Sequence, residues 1–80
     1  MRFEFHYDAG HGWLRVPKTL AMSTSPYITS YSYVDRDFVY LEEDEDATRF
    51  LEAYCRDHDK PEFTDIDNGD ESPIRSLLHF

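Results

Sequence analysis

Eighty residues with a formal net charge of −9 and aromatic side chains at 16% describe one small domain, residues 1–80, whose core must be built largely from rings. A lone cysteine, Cys55, excludes an internal disulfide framework, and no apolar run reaches the roughly 18 residues that cross a bilayer. The opening residues alternate in type and lack the apolar segment of a secretory signal, so a cytoplasmic location is expected.

"RFEFHYD" places Phe3, Phe5 and Tyr7 on one face and Arg2, Glu4 and His6 on the other, the period-2 pattern of a half-buried strand. "DAGHG" supplies turn residues and "WLRVP" resumes extended structure, so these two strands form a hairpin. Pro17 suits a first helical position, and "PKTLAMS" reads as one short helical turn before the loop "STSP". "YITSYSYV" is expected as a third strand and "FVYLEE" as a fourth, joined by "DRD" in a second hairpin. A helix follows over about 46–58, capped by Asp44 or Asp46, with Ala47, Phe50, Leu51, Tyr54 and Cys55 at helical spacing. Beyond Pro61, "EFTDID" reads as an edge strand and "NGD" as a turn. "SPIRSLLHF" is either a last strand or a short helix begun by Ser72 and Pro73, and Ile74 to Leu78 are taken as extended.

The expected fold is therefore α+β: an antiparallel sheet of four to five strands, built from two hairpins, with one amphipathic helix packed on one face. Phe3, Phe5, Trp13, Val39, Leu41, Phe50, Leu51 and Tyr54 are its core.

Charge is distributed unevenly. Residues 35–71 hold 15 acids against four bases, and Glu42, Glu43, Asp44, Glu45 and Asp46 are consecutive. The helix macrodipole favours one or two acids at a helix entrance, which leaves the remainder of the run to be explained. A solvated face is one reading. The other is that the carboxylates stand in for phosphates and dock on a basic nucleic-acid groove, with Glu52, Asp57 and Asp59 extending the run and Asp35 and Asp37 adding to it at a hairpin tip. The same charge excludes direct nucleic-acid binding.

Other constellations carry less. "DAGHGWL" matches neither a dinucleotide fingerprint nor a P-loop, and "DIDNGDES" departs from a calcium loop because Gly69 takes the fifth position. Cys55 and His58 are two of the four ligands a structural zinc needs, and Cys55 reads more simply as a small buried hydrophobe, so no metal or cofactor is expected. No acid–base pair stands out, so an enzyme is not expected. Tyr31, Tyr33 and Tyr40 share a face either as a contact surface rimmed by acids or as part of the core.

On the stretches "GHGWLRVP", "YITSYSYV", "VYLEEDEDATRFLEAY" and "DESPIRSLLHF", the chain resembles a group of small proteins from bacterial genomes, phages and plasmids. The resemblance implies a compact domain of mobile-element type. In size and acidity the chain is similar to anti-CRISPR and antirestriction proteins, a likeness of type. The function expected is inhibition: a DNA mimic that binds a nucleic-acid-binding effector of a bacterial defence system, as monomer or homodimer, with no membrane role. The alternative is a regulatory adaptor or antitoxin-like protein that binds its partner through the tyrosine face.

Overall fold

The alternation in "RFEFHY" becomes strand β1, Arg2–Tyr7, which a turn at Asp8–His11 joins to β2, Gly12–Pro17. This computed structural model describes residues 1–25 and 27–80. Pro26, the last residue of the loop expected at "STSP", lies outside the described residues. Pro17 precedes helix α1, Lys18–Thr24, and the second hairpin follows as β3, Tyr33–Val34, and β4, Phe38–Glu42. A π-helical turn, Glu43–Ala47, runs into helix α2, Thr48–Asp57. The chain then forms β5, Glu62–Asp67, a 3-10 turn at Pro73–Ser76 and a terminal strand β6, Leu78–His79.

The strands form one six-stranded sheet in the order β5-β1-β2-β4-β3-β6, more strands than expected. The sheet is mixed, because β5 pairs parallel with β1 from Arg2↔Glu62 to Tyr7↔Asp67. The reason is the length of the connection. A tight turn reverses a strand, whereas α2 carries the chain back along the sheet, so β5 starts at the same end as β1.

Two further expectations are corrected. The strand foreseen over "YITSYSYV" shrinks to Tyr33–Val34, because Thr29 and Ser32 bond to a buried carboxylate instead of a sheet ladder. At the C-terminus the extended reading holds for Leu77 and Leu78 but gives way over Ile74 to Ser76 to the 3-10 turn, which Ser72 caps by accepting from the Ile74 N–H with Pro73 at its first position.

Both helices lie on one face, where Phe3, Leu14, Val16, Val39 and Leu41 meet Ala21, Ala47, Phe50 and Tyr54. Phe3, Phe50 and Tyr54 form a ring triad with centroids 5.6 to 5.7 Å apart. Burial of each such ring is worth about 1.5–3 kcal/mol. Phe5 and Leu51, expected in the core, are only partly buried beside it. Gly12 is required where the Phe5 ring crosses β2, since a Cβ there would collide with that ring. Trp13, one residue out of phase with Leu14, lies on the opposite face and forms a second cluster with Tyr40 and Ile74.

Candidate functional site

The acidic run divides into an inner carboxylate and an exposed group. Asp46 is fully buried, because it precedes Phe50 and Tyr54 at helical spacing and so belongs to the inward face. It accepts from the Thr29 N–H at 2.9 Å, the Thr29 hydroxyl at 2.8 Å, the Ser32 hydroxyl and Arg49 Nη2 at 2.9 Å. Asp46 therefore leaves the docking surface expected of it. It fastens the loop before β3 to the start of α2.

The cap is also different from the one expected. Glu42, half-buried at the end of β4, accepts from the N–H groups of Asp44 and Glu45, each at 3.1 Å. Ser32 completes the junction by accepting from the Glu42 N–H at 2.9 Å. Glu43, Asp44 and Glu45 are left side by side and exposed on a turn held at both ends.

The other acids do not form one surface with them. Asp35 and Asp37 lie at the opposite end of β4, about 15 Å away along a five-residue strand. Asp35 is moreover a builder of its turn: its Oδ1 accepts from the Asp37 and Phe38 N–H groups and its Oδ2 from the Tyr40 hydroxyl at 2.8 Å. Burial pushes the Asp35 carboxyl up, and those hydrogen bonds, with the Arg15 charge, outweigh it and hold it below its ordinary value. Asp57 and Asp59 lie at and beyond the far end of α2, about 15 Å from its start. Between the two ends, Glu45, Arg49, Glu52 and Arg56 follow one another at helical spacing with alternating sign, and Arg49 Nη2 lies 3.7 Å from Glu45. Negative charge is consequently densest at the helix ends.

The three tyrosines separate as well. Tyr33 and Tyr40 are cross-strand partners on the face away from the helices. Tyr40 is buried there, and burial together with Asp35 pushes its hydroxyl up to about 12, so it is core and not contact surface. Tyr31 stands outside the strand and is 71% exposed. The C-terminal segment roofs the second cluster with Ile74 and Leu77.

An ion pair missed in the sequence holds that roof. Asp8 is buried and accepts from Arg75 Nε at 2.7 Å and Nη2 at 2.9 Å, from the Ser72 N–H at 2.8 Å, and from the Gly10 and His11 N–H groups. The Arg75 guanidinium holds the Asp8 carboxyl far below its ordinary range, burial opposes it, and the backbone donors reinforce it. Arg75 is the one base beyond Lys60, which was the available signal.

Between this roof and the acidic turn lies a cavity of about 330 Å³. His11, Trp13, Tyr31, Tyr33, Arg75 and His79 line it, and Glu42, Asp44 and Glu45 complete its wall. It joins the exposed acids to two of the expected tyrosines, a juxtaposition that the linear distance between "SYSY" and "EEDE" conceals.

Cys55, expected buried, is exposed on α2. Among the described residues no three His, Cys, Asp or Glu side chains converge to hold a metal ion, and no helix is long and apolar enough to cross a membrane. Neither a protein-family model, nor a curated protein, nor a solved structure matches the chain.

Proposed function

We propose that this protein is a small acidic inhibitor, anti-CRISPR-like in type, that acts in the bacterial cytoplasm by blocking the nucleic-acid groove of a defence complex with carboxylates in place of phosphates. The observation that supports this reading is the rigid presentation of Glu43, Asp44 and Glu45. The Glu42 cap and the buried Asp46 hold like charges side by side on one turn despite their repulsion. One strand of duplex DNA carries a charge per about 3.4 Å of its axis, so a groove built to bind it is lined with cations that such a turn attracts. A pre-ordered array also loses less entropy on docking than a flexible acidic tail. Asp57 and Asp59 give a second acidic patch at the far end of α2, Glu52 lies between Arg49 and Arg56, and Asp46 acts only through the turn that it secures. The protein works by occupancy, without a chemical step or cofactor.

The test is capture of the tagged protein's partners from lysates of bacteria with different defence systems. A nucleic-acid-handling complex is expected to be held at low salt, released at high salt and displaced by added duplex DNA. The triple reversal E43K/D44K/E45K is expected to abolish that capture without unfolding the chain. A partner that persists in high salt and ignores DNA would overturn the reading and favour the second one: a non-catalytic adaptor or antitoxin-like protein that binds through its tyrosines. What supports the second is the exposure of Tyr31 beside Tyr33 in the cavity wall.

A further inference from the structure

We propose that the cavity beside the acidic turn is a receptor for a single arginine side chain of the protein partner. This rests on the functional reading above, which supplies an arginine-bearing groove, and it names the contact that fixes register within that groove. The cavity, about 330 Å³, is at the small end of the range that ligand sites occupy. Its walls carry the exposed Tyr31 ring beside the half-buried Tyr33 and the carboxylates of Glu42, Asp44 and Glu45, while Trp13 behind them is buried and already has Arg75 over its ring at 5.5 Å. That pairing suits a planar cation, which stacks on a ring while its edge donates to an acid.

The aromatic wall is held before any ligand arrives. Tyr33 packs edge-on to Trp13 at 6.1 Å and lies 4.4 Å from the His79 ring, which is itself fixed by a 2.6 Å hydrogen bond between its Nδ1 and the Ser30 carbonyl. Each Glu42 oxygen accepts one backbone N–H and retains a second lone pair. Arg75, which lines the same space, does not reverse the sign, since both Asp8 oxygens already bond it. Glu42 and Asp44, with Glu45 shared with Arg49 at 3.7 Å, outweigh one neutralised guanidinium beside His11 and His79, which favours a cation over a phosphate. Arginine is preferred to lysine because lysine brings a point charge that cannot use the Tyr31 ring and two oxygens together.

The probe is N-acetyl-L-arginine amide, which carries only the side-chain charge. It is compared with N-acetyl-L-citrulline amide, of the same shape without charge. Trp13 is the single tryptophan, so its fluorescence reports on the cavity wall. The arginine amide is expected to give a saturable change with a dissociation constant on the order of 1–10 mM, and the citrulline amide to bind at least about tenfold more weakly. Y31A and D44N, both at exposed positions, are each expected to weaken binding at least about threefold with an unchanged melting temperature. No saturable response, an equal response to citrulline, tighter binding of AMP, or indifference to both substitutions would overturn the proposal. If E43K/D44K/E45K abolishes DNA-sensitive partner capture while the cavity ignores arginine, this inference falls and the inhibitor reading stands. If the cavity takes arginine but no nucleic-acid-handling partner is captured, the inhibitor reading falls and the receptor stands alone.

Discussion

The two faces of the sheet are closed in different ways. Under the helices, Phe3, Leu14, Val16, Val39, Leu41, Phe50 and Tyr54 interlock, and closure is hydrophobic and distributed over many contacts. On the other face Trp13, Tyr40 and Ile74 are roofed by one short C-terminal segment, which the Asp8–Arg75 pair holds in place. The first face is the folding core. The second is a latch beside an open cavity.

This contrast is broken most severely at the core. Phe50→Ala is expected to cost about 3–5 kcal/mol and to lower the unfolding midpoint in urea as one cooperative transition. Retention of most of the stability would mean that the helix-covered face is not the dominant core. Asp46→Ala comes next, at about 3 kcal/mol, because it removes the buried carboxylate that accepts from Thr29, Arg49 and the buried Ser32. Hydrogen exchange at Thr29 and Glu42 measures the accompanying release of the loop and the turn.

The latch responds differently. Asp8→Asn is expected to loosen the C-terminal roof and red-shift Trp13 emission while far-ultraviolet circular dichroism stays the same, since Arg75 lies over the indole at 5.5 Å. Its folded carboxyl is depressed below the ordinary value of 3.8, so the pair's contribution is complete above that pH and is lost as pH falls beneath it towards the folded value. Acid titration of the wild type should show the same Trp13 shift below about pH 4, and Asp8→Asn should show it already at neutral pH. The smallest effect belongs to E43Q/D44N/E45Q. Lost dipole interactions and relieved repulsion offset each other, so stability should change by less than about 1 kcal/mol. A larger loss in a thermal melt would mean that these three acids are structural.

The elements read most directly from sequence were those whose pattern is local. Alternation in "RFEFHY", turn residues in "DAGHG" and "DRD", and helical spacing after Ala47 each specify their element, and both hairpins and the main helix form accordingly. "YITSYSYV" misled because its alternation is that of a strand while Thr29 and Ser32 also suit a carboxylate seventeen and fourteen residues away. Asp46 was legible in part: the spacing that selected Phe50 and Tyr54 also selected Asp46, but a charge in a run of five acids reads as surface. Asp35 was assigned to the contact surface by its charge and Tyr40 was left between contact surface and core, and the hydrogen bond between them takes both out of the contact role.

By itself the sequence determined the class of the domain, the two hairpins, the position of α2 and the concentration of charge around its entrance, because periodicity and charge are properties of neighbours along the chain. Only the tertiary structure decided which acids are buried, that Asp35 and Asp37 lie at the opposite end of β4 from Glu42, that β5 joins β1 in parallel, and that Asp8 meets Arg75 across 67 positions. Those outcomes depend on which donors and rings arrive together once the strands are registered. A carboxylate is indifferent to its place in a run, but not to the number of N–H and O–H groups that face it when water is gone.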